Sequence, residues 1–146
     1  MNMTVDKKGL LYRMREKRFL QLCVAIGAFV PALAGLCGVL TGPDFVGFSS
    51  DVSADSHFRY LSGLLLGIGL GFWSCIPNIE AKTARFGLLT LIVVSGGLSR
   101  LISLILIGVP SNSMLFGLGM ELIITPLLYF WQSHIAGRSR AGIASF

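Results

Sequence analysis

The sequence predicts an all-α integral membrane protein: a four-helix bundle of antiparallel up-down topology with both termini in the cytoplasm. Three observations carry this. Of the 146 residues, 53% are hydrophobic and only 13% charged, about half the charged share of a soluble domain. A chain this short has one domain's worth of core and cannot hide that much apolar surface inside itself. The apolar residues also fall into four runs, each about as long as the ~20 residues a spanning helix needs. This excludes a disordered chain, a nucleic-acid-binding domain and an ordinary cytosolic enzyme.

The first run is Phe19 to Thr41, the second Phe58 to Ile76, the third Phe86 to Val109 and the fourth Met114 to Trp131. Breakers or interfacial residues close them: Gly42-Pro43, Pro77-Asn78, Pro110 and Trp131-Gln132. Alternation at period 2, the mark of a membrane barrel, is absent. Residues 1–18 then form a basic cytoplasmic segment, 19–133 the membrane domain and 134–146 a basic cytoplasmic tail.

Charge sets the expected orientation. The net charge of +5 is not spread as a nucleic-acid surface would be. Lys7, Lys8, Arg13, Arg15, Lys17 and Arg18 precede the first run, Lys82 and Arg85 flank the central loop, and Arg138 and Arg140 lie in the tail. The loop from Gly42 to His57 carries Asp44, Asp51 and Asp55 and no Lys or Arg. Basic loops are retained on the cytoplasmic side, so the acidic loop is expected outside. The first run, with its basic flank and Ala32-Leu33-Ala34, also resembles a signal peptide. At 23 residues it exceeds the ~7–15 of a secretory apolar region, which favours an uncleaved span. No internal repeat or inverted symmetry is evident.

Two charges interrupt the spans. A charge at mid-membrane costs ~2.5–3.5 kcal/mol on insertion scales, so such residues face a bundle interior and pair. At 1.5 Å of rise per residue, Arg100 lies ~14 Å below the outer end of the third span and Glu121 ~11 Å below that of the fourth. An ion pair between them is the direct expectation. Either it is a packing lock between the two spans, or it belongs to a binding or proton-handling site. Gly96, Gly97 and Ser103 share the helical face of Arg100, and Gly117 and Thr125 that of Glu121. Arg59 and Tyr60 open the second span, and Arg59 either snorkels to headgroups or turns inward to Glu121. In the second case Arg59, Tyr60, Arg100 and Glu121 form a candidate pocket with one surplus positive charge, suited to an anion.

Gly63, Gly67 and Gly71 make two overlapping G-x-x-x-G motifs, a spacing that lets helix backbones approach closely. They are candidate packing positions together with Gly96, Gly97, Gly117 and the in-span Pro126. The reading leaves open whether the contact is within this bundle or with another copy or membrane protein. Cys23 and Cys37 are ~21 Å apart along one helix, too far to bridge. No metal-spaced cluster, nucleophile motif or phosphate loop is present. No catalytic residue, metal ligand or cofactor is therefore assigned. A membrane enzyme using Glu121 as general acid or base is the weakest of the readings.

The segments FRYLSGLLLGIGLGFW, IPNIE, GGLSRLISLILIGVP and ELIITPLLYFW resemble a bacterial membrane family, domain of unknown function 4345. The shared pattern falls on Phe58, Arg59, Tyr60, Gly63, Gly67, Gly96, Gly97, Arg100, Ser103, Gly108, Pro110, Glu121, Pro126 and Leu127. The resemblance covers about half the chain and implies a small four-helix membrane protein of the bacterial inner membrane, with no assigned activity. The expected partners are membrane lipid and either further copies of the chain or a larger membrane complex, with no nucleic acid. The function that fits best is a structural, accessory or oligomerising subunit whose bundle is locked by a buried Arg100–Glu121 pair. The alternative is a binder or carrier of an anionic or amphiphilic small molecule or lipid at the Arg59, Tyr60, Arg100 and Glu121 pocket.

Overall fold

In the computed structural model, residues 3–47 and 51–143 are described. The side chains of Lys7, Lys8 and Arg140, counted above among the basic clusters, and residues 48–50 of the acidic loop lie outside the described residues. Among those described there is no strand. Four stretches are long and apolar enough to cross a membrane: Leu11–Asp44, Val52–Cys75, Thr83–Leu106 and Asn112–Ser139. The described residues are thus all-α, with the four long apolar helices of a multi-pass membrane architecture. It divides into two compact units, Leu22–Pro77 on one hand and the residues up to Gln21 with those from Asn78 onward on the other.

The unit Leu22–Pro77 is a helical hairpin. It holds the later part of α1 (Met3–Thr41), a 3₁₀ turn at Gly42–Val46, and α2 (Val52–Cys75). Helix α2 starts six residues earlier than the apolar run does. Asp51 caps it, its carboxylate accepting from the Ala54 amide at 2.7 Å, and Asp55 adds negative charge in the first turn, where the helix dipole favours it.

The seam of this hairpin is built from small residues, though not from Gly63 or Gly67 of the G-x-x-x-G spacing. A side-chain carbon on Gly69 would meet Ala32, one on Gly35 would meet the backbone of Ser62 and Leu66, and one on Gly38 would meet the Ser62 side chain. Those pairs run in opposite sequence directions, so the two helices are antiparallel. Gly63 has only a distant neighbour, Val39 at 3.9 Å, and Gly67 has none within 4 Å. The periodic spacing reports a face without side chains, but not which way that face turns. Trp73 closes the far end of the seam, donating to the Ala25 carbonyl at 3.0 Å and packing edge-on against Phe29.

The other unit contains the start of α1, a 3₁₀ turn at Ile79–Ala81, α3 (Thr83–Leu106), and a last helical run in three pieces. These are α4 (Asn112–Gly119), a π-helical turn at Met120–Ile124, and α5 (Thr125–Ile143). Its buried side chains are Leu20, Ile79, Phe86, Thr90, Ile135 and Ala136, with the amide of Gln132 among them. Gln132 is fully buried and donates to the Ile79 carbonyl at 2.7 Å and to Thr83 Oγ1 at 3.0 Å. One side chain thereby ties α5 to the turn and to the first residue of α3. Removing a partner from such a buried bond costs about 1–3 kcal/mol.

Helix α3 ends at Leu106, three residues short of the apolar run. Gly108 has φ 128°, a conformation L side chains rarely adopt, and Pro110 has no amide to continue the helix. On the opposite side, Asn78 at φ 55° makes the reversal after Pro77, a conformation Asn tolerates better than most residues. Large apolar side chains point outward along every long helix, among them Leu36, Leu64, Leu91, Ile105, Ile123 and Leu127. This is the surface expected of a chain whose solvent is lipid.

Candidate functional site

The π turn is the local feature around which the site is built. Pro126 has no amide for the Leu122 carbonyl, and its ring crowds that carbonyl. The helix upstream widens to accommodate this. Thr125 donates its backbone N–H to the carbonyl of Met120, five residues back, and its hydroxyl donates to the same oxygen at 2.8 Å. π turns inside α-helices occur frequently at functional sites. Here the extra residue falls at Glu121 and its neighbours.

Glu121 then faces α3. Arg100 Nε lies 3.3 Å from Glu121 Oε1, and Arg100 Nη1 donates to the Met114 sulfur at 3.0 Å. The helices come close because of Gly97, where an added side-chain carbon would lie 2.9 Å from Glu121 Cβ and 2.7 Å from Leu122 Cδ2. Gly117 lets the guanidinium pass, with 3.8 Å between Arg100 Nη1 and the position a Cβ would take.

One expectation is corrected here. The pair is not buried: the Glu121 side chain is 17% exposed, but that of Arg100 is 42% exposed. At 100° per residue, Arg100 sits about 60° around α3 from Gly97, the residue that points at the π turn. It therefore reaches Glu121 from the rim, with its outer edge left open. Glu121 Oε2 is buried without a hydrogen-bond partner. On the open side of α3, Gly96, Ser99 and Ser103 are exposed. Gly96 has no neighbour within 4 Å of where a side chain would begin.

Arg59 and Tyr60 belong to the other unit. The guanidinium of Arg59 is held by Asp55, with Nε 2.8 Å from one carboxylate oxygen and Nη2 3.2 Å from the other. Nη1 donates to the carbonyls of Val39 at 2.7 Å and Leu40 at 3.2 Å. Arg59 thus completes the end of α1, satisfying carbonyls that a helix terminus leaves without donors. Tyr60 is 63% exposed and stacks on His57 with ring centroids 6.5 Å apart.

A second polar cluster was not anticipated as a site. Lys17 Nζ lies 2.7 Å from Glu80 Oε1, Arg138 lies 3.3 Å from Glu16, and Trp131 donates to Glu16 at 3.4 Å. Burial raises the Glu80 carboxyl, but the bond from Lys17, the carboxyl's own backbone and the lysine charge outweigh it and hold the carboxyl below its ordinary range. The signal was available, since Glu16 and Glu80 are acids set among basic residues. Among the described residues no three His, Cys, Asp or Glu side chains group so as to hold a metal ion.

No curated protein and no solved structure matches the chain. The family model of a domain of unknown function, DUF4345, matches residues 19–132, from the first span to Gln132 beside the α5 tryptophan. That stretch takes in both units, the Arg100–Glu121 contact and the π turn, and the chain belongs to the DUF4345 family.

Proposed function

We propose that this protein is a structural subunit of a membrane assembly that associates with further copies of itself through the open face of α3. It lies in the inner membrane of a bacterium, with the basic N-terminus, the Lys82–Arg85 loop and the C-terminus in the cytoplasm. One observation carries the reading: a guanidinium inside a spanning helix keeps its outer edge exposed, on a face of small and hydroxyl-bearing residues. Lipid tails offer that edge no acceptor, and in-span charges are costly unless partnered. A second helix laid over Gly96 can approach closely and bring carbonyls and hydroxyls to Arg100. The Ser95 and Ser99 hydroxyls bond back to Leu91 and Ser95, leaving a smooth surface for that approach.

The reading as an anion carrier draws less support, because Arg59 is engaged by Asp55 and by the end of α1. The test is the oligomeric state in lipid nanodiscs, followed by native mass spectrometry and single-molecule photobleaching. The wild type is expected as a defined oligomer. Gly96→Leu, whose first side-chain carbon meets nothing within 4 Å, is expected to be folded and monomeric. A wild-type monomer at every protein-to-lipid ratio would overturn the proposal.

A further inference from the structure

The start of α1 is held in one rotation by what it touches. Glu16 accepts from Trp131 at 3.4 Å and pairs with Arg138 at 3.3 Å, Lys17 pairs with Glu80 at 2.7 Å, and Leu20 is fully buried. Glu16, Lys17 and Leu20 therefore mark the inward side of the helix. At 100° per residue, Leu11, Met14, Arg15 and Arg18 fall on the opposite side, at the i, i+3, i+4, i+7 spacing of a single face. All four are exposed. Among the described residues, no ion pair or hydrogen bond engages the guanidinium of Arg15 or of Arg18. The acids nearby are held elsewhere, Glu16 by Arg138 and Glu80 by Lys17.

The level of this face along the helix is fixed as well. Phe19 opens the apolar run, and its ring packs on that of Trp131 with centroids 5.6 Å apart. Tryptophan concentrates where hydrocarbon meets headgroups, so the end of the apolar run and the aromatic pair both put the boundary at Phe19. Arg18 stands ~1.5 Å beyond Phe19 along the axis, and Arg15 ~6 Å beyond it. The headgroup layer is about 5–7 Å thick on each side of the hydrocarbon. Both arginines lie within that layer, on the side of α1 turned away from the helix and turn it packs against.

We infer that Arg15 and Arg18 form a binding site for the phosphate headgroup of an anionic phospholipid. The two residues are about 60° apart around the helix and ~4.5 Å apart along it, close enough to engage one headgroup together. Each guanidinium can give a phosphate two parallel N–H bonds, so the pair recognises it by geometry as well as by charge. A headgroup of net negative charge is favoured because neither arginine is neutralised by an acid among the described residues. Arg13 provides the contrast: it is exposed too, but it lies about 160° around the helix from Arg15. The site involves no residue of α3, so it does not depend on self-association through the Gly96 face.

The test is reconstitution in vesicles of equal parts phosphatidylglycerol and phosphatidylcholine, mild extraction, and native mass spectrometry of the lipids retained. The wild type is expected to keep phosphatidylglycerol in excess. Arg15→Gln and Arg18→Gln are each expected to fold as the wild type does by circular dichroism. Each should cut that excess about fivefold, the factor for one basic residue near a charged membrane surface. Arg13→Gln removes the same charge from the other side of the helix and is expected to leave the excess unchanged. Gly96→Leu is expected to keep it also, so this inference and the oligomer reading fail separately. The inference is overturned if the wild type shows no headgroup preference, or if the double variant Arg15→Gln, Arg18→Gln retains it. It is equally overturned if Arg13→Gln lowers the preference as much as Arg15→Gln, which would mean attraction to overall charge alone. Dissociation of the oligomer by the double variant would also overturn it, by placing a second copy on this face.

Discussion

Gly97 of α3 sits directly over Glu121, with no room for even a methyl group between them: an added carbon would stand 2.9 Å from Glu121 Cβ. The neighbouring Gly96 faces open space. Two adjacent glycines thus have separate roles, one setting the distance between α3 and the π turn, the other leaving the outer face smooth.

This contrast gives a paired prediction. Gly97→Ala is expected to force α3 away from the turn and cost about 1–3 kcal/mol, the range for overpacking a close contact. Gly96→Ala is expected to leave stability of the isolated chain unchanged. Reversible unfolding of monomeric protein in detergent measures both.

Pro126 is the cause assigned to the π turn, and replacing it tests that cause. Pro126→Ala restores an amide for the Leu122 carbonyl and removes the ring. The five residues Met120–Ile124 are then expected to revert to α-helix, turning Glu121 away from Arg100. Backbone amide exchange and carbonyl chemical shifts across Met120 to Thr125 report the register. An unchanged i→i−5 bond from Thr125 would show that the turn has another origin.

Glu80 predicts an acid limb. Its carboxyl is held below the ordinary 4.5 by Lys17 and its own backbone. A carboxyl with a lowered folded-state pKa stabilises the fold above its unfolded value, and that stability is lost as pH falls through the folded one. The unfolding midpoint in detergent should therefore drop on acidification below about pH 4.3. Glu80→Gln should flatten that limb and lower the neutral-pH plateau, since Lys17 loses its partner.

The four spans were legible because lipid imposes one requirement, length with few charges, that composition alone reveals. The ends were less so. Asp51 moved the start of α2 into what reads as an acidic loop, because a capping carboxylate outweighs the polarity of Ser53, Asp55 and Ser56. The contact between Arg100 and Glu121 follows from depth and antiparallel neighbours, but its openness does not. That depends on whether Arg100 or Gly97 points at the partner helix, a rotation the sequence leaves free. The role of Arg59 had a local signal in Asp55 four residues earlier, a spacing at which helix side chains meet. The π turn had a weaker one, Thr125 directly before Pro126.

The contact between Arg100 and Glu121 is the centre of this account, and a double-mutant cycle measures it directly. Arg100→Gln, Glu121→Gln and the double variant are unfolded in bilayer-mimetic bicelles under conditions that keep the chain monomeric. The pair is expected to show a coupling of about 0.6 kcal/mol or more, the scale found for polar contacts between spanning helices. Single effects that add to within about 0.3 kcal/mol would mean that the two charges act independently, and would contradict the account.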